Sequence, residues 1–267
     1  MTTTSKSNQK KTALVTGGSA GIGLELAKQL AAHGHDLILV ARHRDALEAA
    51  AGTLEGKYGV KVMVIASDLA DPASPQRLFD AVTAEGKRVD FLINNAGFGL
   101  GGEFSDTDLD RELDMIQVNI AALTHLAKLF LPAMLQRREG RVMNVASTAA
   151  FQPGPLMAVY YATKAYVLSF SQALAEELRN SDVTVTCLCP GATATHFAKT
   201  AGTSNSRLFT RLGVAAADDV ARYGYAAMMR GTRVAIPGVR DRIMVQAERI
   251  APRALVTKLA RMAQENR

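Results

Sequence analysis

Short apolar runs rich in β-branched residues alternate along this chain with longer segments of helical spacing, and few folds accommodate that order. Strands are expected at residues 12–16, 37–41, 62–66, 91–94, 141–146, 183–188 and, more briefly, 232–236. Helices are expected between them at 21–33, 45–58, 72–85, 108–135, 158–180 and 217–230. Such alternation builds right-handed βαβ units around a parallel sheet. The strands are nearly continuous apolar runs, as required when helices cover both faces. The expected fold class is therefore α/β, a single Rossmann-like doubly wound parallel sheet of about seven strands. The length of 267 residues suits one such domain. Residues 1–11 form a polar lead-in expected to lack order, residues 12–238 the main domain, and residues 239–267 an amphipathic helical tail.

Ligands of open α/β sheets bind beyond the carboxyl ends of the strands, so the loops there matter most. The first strand runs directly into Thr16-Gly17-Gly18-Ser19-Ala20-Gly21-Ile22-Gly23, where a helix begins. Glycines at such a turn let the backbone approach a pyrophosphate, and the helix N-terminus offers free N–H groups to it. Two further segments follow strands and should border the site: the glycine-rich stretch 98–102 and the polar stretch 193–213.

Charge and cysteine usage narrow the class further. The net charge is +6, but the basic residues are dispersed and no aromatic platform interleaves them, which argues against nucleic acid. The first eleven residues lack the apolar core of a secretory signal. No stretch is expected to approach the ~20 apolar residues of a membrane span. Cys187 and Cys189 are expected to point to opposite faces of their strand, poorly placed to pair, and no histidine neighbours them to complete a metal site. A reducing, cytoplasmic setting is expected.

The glycine spacing, Gly-x-x-x-Gly-x-Gly, is followed in order by Asn94-Asn95-Ala96-Gly97, Asn119, Ser147, Tyr160-x-x-x-Lys164 and Pro190-Gly191. Together these resemble the short-chain dehydrogenase/reductase family. Wording such as AVYYATKAYVLSFSQAL is similar to its bacterial branch related to 3-oxoacyl and steroid ketone reductases. The resemblance implies an oxidoreductase that moves a hydride between a nicotinamide and a carbonyl or alcohol carbon. By that resemblance Tyr160 is the proton donor and acceptor, and Ser147 holds the substrate oxygen, with Thr148 a weaker alternative. Lys164 holds the nicotinamide ribose and lowers the Tyr160 pKa, and Asn119 holds a water for proton relay. Tyr161, adjacent to Tyr160, does not fit the Tyr-x-x-x-Lys spacing.

The cofactor reading extends over Gly17, Ser19, Ala20, Gly21, Ile22, Gly23, Asn95, Ala96, Gly97, Pro190 and Gly191. Asp68 and Leu69 match family positions that hold adenine, and Thr193 and Thr195 reach toward the carboxamide or pyrophosphate. No carboxylate stands at positions 41–42 to bind a ribose 2′-hydroxyl, whereas Arg42 can pair with a 2′-phosphate. NADP(H) is therefore the expected cofactor, with NAD(H) admissible, and no metal is expected. Phe197, Leu208 and Phe209 of the loop 192–213 offer an apolar lid suited to a hydrophobic small-molecule substrate. The family's usual dimer or tetramer would pack helices 108–135 and 158–180 between subunits. In the tail, Ile243, Ala247, Ile250, Leu255, Leu259 and Met262 are expected to form a face that packs on the protein. Its opposite basic face leaves peripheral membrane contact as the less favoured alternative. The competing functional readings are a non-catalytic nucleotide-binding sensor or scaffold, and an isomerase or epimerase on the same fold.

Overall fold

The computed structural model describes residues 10–203 and 214–265. Its strands are β1 (Thr12–Thr16), β2 (Asp36–Ala41), β3 (Val62–Ala66), β4 (Phe91–Asn94), β5 (Gly140–Val145), β6 (Val183–Leu188) and β7 (Val234–Ala235). They form one parallel sheet in the order β3-β2-β1-β4-β5-β6-β7. Chain direction across the sheet reverses between β1 and β4, so a crevice opens above their carboxyl ends.

Alternate strand residues face two helical layers. On one side Val15, Leu39 and Ile93 meet Leu26 and Leu30 of α1 (Gly21–Ala32), Leu47 and Leu54 of α2 (Arg44–Tyr58), and a later helix, α8, described below. On the other, Leu14, Val40 and Leu92 meet Leu78 and Val82 of α3 (Ser74–Ala84) and Leu126, Phe130 and Met134 of α5 (Leu123–Arg137). Burial of these side chains removes the apolar runs from water on both faces, the main favourable term for the fold.

Helix limits follow local chemistry. The third helix starts at Ser74 rather than 72 because Asp71 first makes a turn, its carboxylate accepting from the Ala73 N–H at 2.9 Å. The expected continuous helix over 108–135 consists of α4 (Leu109–Ile116), a π turn (Gln117–Ala122) and α5. Asp108 caps its start, accepting from the Arg111 N–H at 2.9 Å. The wider turn brings Asn119 inward, and inserted π turns of this kind commonly sit at functional sites. This 29-residue run is long and apolar enough by composition to cross a membrane, contrary to expectation, yet its apolar stripe packs against the sheet.

The remaining elements are a 3₁₀ turn (Thr148–Phe151), α6 (Ala158–Glu177), α7 (Phe197–Thr200), α8 (Ala217–Met229), α9 (Val239–Ile250) and α10 (Arg253–Gln264). Val220, Ala221, Tyr225 and Met228 of α8 complete the first layer. The last strand is shorter than expected because Thr232 still bonds back to the Ala227 carbonyl at the end of α8.

Three expectations change. Lys10 and Lys11 are ordered: their ammonium groups pair with Asp36 at 2.9 Å and Glu139 at 2.7 Å. Residues 1–9 lie outside the described residues. Cys187 and Cys189 share one face, as residues two apart in extended chain must. Both thiols are free and buried, with sulfurs 3.7 Å apart. The tail packs on its own subunit through a face other than the expected one. Val245, Val256 and Ala260 are buried, while Ile243, Ile250, Leu255, Leu259 and Met262 stay largely exposed. That inward face covers the crevice above the sheet rather than the outside of a helix layer.

Candidate active site

A cavity of about 570 Å³ fills the crevice. One end is the turn between β1 and α1. Gly17 and Gly21 have φ of +64° and +55°, the left-handed region that side chains disfavour. A Cβ on Gly23 would lie 2.2 Å from the Gly17 carbonyl oxygen, so that position admits no side chain. The turn is tied to the end of β4. The Thr16 hydroxyl accepts from the N–H groups of Asn95 and Ala96 at 3.0 Å, and the Asn95 amide donates to the Thr16 carbonyl at 2.9 Å. Two sequence motifs 79 residues apart thus form one rigid cradle.

Gly17, Ala20, Gly21, Ile22 and Arg42 line this end, with Asn95, Ala96 and Gly97 beside them. Ser19 and Gly23 support the turn from behind its lining. Arg42 is exposed at the rim and has no carboxylate partner among the described residues, whereas its neighbour Arg44 pairs with Glu48 at 3.5 Å. Asp68 and Leu69 stand apart from the cavity lining. Asp68 closes a turn by accepting from the Ala70 N–H at 3.0 Å, and the Leu69 side chain is buried in the second layer. The glycine cradle, the helix N-terminus and the unpaired Arg42 fit a dinucleotide bearing a 2′-phosphate.

Further along, Ser147, Tyr160 and Lys164 converge. Ser147 ends the segment after β5. Its hydroxyl accepts from the Ala149 N–H at 3.1 Å and donates toward the Pro190 carbonyl at 3.3 Å, and it lines the cavity with Tyr160. Tyr160 and Lys164 share a face of α6, four residues apart. The Lys164 ammonium donates to the Val145 carbonyl at 2.9 Å and lies 5.8 Å from the Tyr160 ring centre. Asn119 is locked: its amide donates to the Phe98 carbonyl and the Thr163 hydroxyl, and its oxygen accepts from the Phe98 N–H, all within 3.1 Å.

Burial governs both titrating groups. It pushes the Tyr160 phenol well up, with the Ser147 hydroxyl opposing, and it pulls Lys164 down to about 8. Without cofactor, burial of the phenol outweighs the expected lowering of Tyr160 by the Lys164 ammonium. The Lys164 shift carries a stability consequence. The unfolded chain keeps this proton up to about its ordinary 10.5, so the native state is penalised while the ammonium persists, and the penalty lifts as pH rises from about 8 to 10.5. Lys164→Met is therefore expected to melt above the wild type near neutral pH without cofactor. The gap should narrow across that window in a melting series, and a gap independent of pH would contradict the assignment.

The Pro190-Gly191 turn, Thr193 and Thr195 close the side opposite the glycine turn. The Thr193 hydroxyl donates to the Gly191 carbonyl at 2.9 Å, and a Cβ on Gly21 would touch the Thr195 methyl at 3.2 Å. Phe197 stacks obliquely on Tyr160 with ring centres 5.2 Å apart. His196 and Thr148 also reach the cavity. Leu208 and Phe209 lie outside the described residues. Phe98, from the stretch expected to border the site, lines it, whereas the sequence reading missed Met157 and the whole contribution of the tail: Met244, Glu248 and Gln264 line the far end, together with Tyr161. The signal available was a second face of the tail, set by Val245, Val256 and Ala260 rather than by its larger isoleucines and leucines.

A family model described as short chain dehydrogenase matches residues 11–206. The very-long-chain 3-oxoacyl-CoA reductase of Anas platyrhynchos is 35% identical over 193 residues, covering 70% of this chain and 61% of that protein. The match therefore spans about three-fifths of that relative's length. A solved short-chain dehydrogenase from Sphingobium yanoikuyae in complex with NADPH is 33% identical, with a TM-score of 0.79 over 90% of this chain and 94% of that one. The bulky-bulky ketone specific alcohol dehydrogenase from Comamonas testosteroni is 29% identical, with a TM-score of 0.76 over 90% and 92%.

Proposed function

The chain belongs to the short-chain dehydrogenase/reductase family, and from that premise we propose that it is an NADP(H)-preferring oxidoreductase acting on the carbonyl or alcohol carbon of a largely apolar substrate. The observation that carries this is the convergence of Ser147, Tyr160 and Lys164 in one cavity whose other end is the glycine cradle. When bound, the cofactor supplies the nicotinamide that carries the hydride. The chain's own groups do the rest. Ser147 orients the substrate oxygen and stabilises charge developing on it. Burial keeps the Tyr160 phenol protonated at neutral pH, the form needed to donate to a carbonyl oxygen. Lys164 holds the nicotinamide ribose. With the Asn119 side chain fully engaged, a relay water at that position would be held by its main-chain carbonyl in the π turn.

Arg42 supports the choice of NADP(H). Its guanidinium can form a two-pronged bond to a 2′-phosphate, and no acidic residue competes for that role. The walls formed by Met157, Phe197, Met244 and Val256 support an apolar substrate. The apolar side chains left exposed on α4, Leu109, Leu113 and Ile116, support a homo-oligomer built through that region. The free, adjacent thiols support a reducing, cytoplasmic location.

The test is cofactor oxidation against ketones, aldehydes and 3-oxoacyl thioesters, run with NADPH and NADH. Turnover favouring NADPH is expected. Arg42→Glu should cut the NADPH:NADH ratio of kcat/KM by about 100-fold, roughly the loss of one charge-assisted pair plus repulsion. A ratio unchanged in that variant would remove Arg42 from cofactor recognition. Tight cofactor binding without turnover of any ketone, aldehyde or thioester would instead favour a nucleotide-binding sensor or scaffold.

A further inference from the structure

The far end of the cavity is apolar except for one cluster. The Gln264 amide nitrogen donates to the Tyr161 hydroxyl at 2.6 Å, while its oxygen has no hydrogen-bond partner although the residue is only 6% exposed. Glu248 also lines this end, and its buried Oε2 has no partner. Tyr161, Glu248 and Gln264 come from α6, α9 and α10, so three separate elements bring polar groups to one place. The Tyr161 ring lies edge-on to Tyr160 with centres 6.0 Å apart, which places the cluster next to the proton donor but beyond it. Val256 and Ala260, both buried, line the same cavity.

Buried acceptors without donors cost free energy unless a ligand satisfies them. We propose that Glu248, Gln264 and Tyr161 form a specificity subsite that binds a hydroxyl group on the substrate, remote from the reacting carbonyl. The preferred substrate class is then an apolar ketone carrying a distal hydroxyl. This rests on the oxidoreductase reading of the same cavity and narrows it.

A hydroxyl suits the cluster better than an ammonium. It donates to one of the unpartnered oxygens and accepts the Tyr161 proton left free by the Gln264 contact. Burial pushes the Glu248 carboxyl up to about 7, so near neutral pH it alternates between acceptor and donor, and a hydroxyl serves both forms. Polar sites of this kind discriminate strongly against analogues that leave them unpaired.

The experiment measures dissociation constants by calorimetry on the NADP⁺-loaded protein. The probes are phenyl alkyl ketones of graded chain length, each ending either in a hydroxyl or in a methyl group. At the length that reaches the cluster, the hydroxyl compound should bind about 10-fold tighter to the wild type. In Glu248→Leu that gap should fall to about two-fold or less, and Glu248→Gln should retain part of it. Because Oε2 of the carboxyl is buried without a partner, the leucine variant is expected to melt no lower than the wild type. Gln264→Met gives a second route to the same loss. Equal affinities at every length, an unchanged gap in the leucine variant, or no binding of either series overturns the subsite. Cofactor oxidation with the same ketones separates the two readings. Binding discrimination without turnover leaves the subsite standing and removes the reductase reading, whereas turnover without discrimination does the reverse.

Discussion

Tyr160→Phe is expected to lower kcat by ~10³-fold, within the range for loss of a positioned acid–base group, while cofactor affinity stays within about two-fold. The phenylalanine ring retains the contacts that Tyr160 makes with Phe197 and Tyr161, so the cavity keeps its shape. Only the phenolic hydroxyl, with its proton, is lost. A fall in kcat and kcat/KM together marks an interaction made in the transition state. Turnover within ten-fold of wild type would move the proton donor elsewhere, with Tyr161 the neighbour to test. Its phenol, however, is engaged by Gln264 and raised by burial.

Gly23→Ala should damage the site from its foundation. The added methyl carbon would sit 2.2 Å from the Gly17 carbonyl oxygen and 2.4 Å from the Asn95 amide nitrogen. The first is backbone and the second holds the cradle together, so neither yields without displacing the turn. Overpacking of this kind costs about 1–3 kcal/mol, occasionally more. Denaturant unfolding should show that loss, and cofactor binding should weaken by about 100-fold as the N-terminus of α1 shifts from its place. Normal cofactor affinity in this variant would mean that the turn accommodates a side chain after all.

Much of this was legible in the sequence because local pattern and tertiary demand coincide in parallel α/β folds. Strands covered on both faces must be apolar throughout, and all seven were visible as such. The glycine turn, Asn95, Ser147, Tyr160 and Lys164 could be found because each is a short motif next to a strand or on one helix face. The illegible parts depend on long-range contacts. The π turn at Asn119 leaves no mark on helical periodicity, since its cause is the reach of that amide to Phe98 and Thr163. The direction of the Tyr160 shift is set by how deeply the phenol is buried, which spacing does not encode. The tail misled for another reason: its largest apolar residues suggest the inward face, while smaller ones, Val245, Val256 and Ala260, actually dock. Spatial fit to the cavity outweighed side-chain size.

The cavity wall is divided between two stretches of sequence. The cradle and the Ser147–Tyr160–Lys164 group lie within residues 11–206, the part that matches the family model, while Met244, Glu248, Val256 and Gln264 lie in the last two helices. The proposed catalytic group therefore lies in one passage of the gene, while part of the cavity wall is added by a later one. A recombination that exchanged only the final helices would reshape that wall in a single event, while the Ser147–Tyr160–Lys164 group and the cradle passed on untouched.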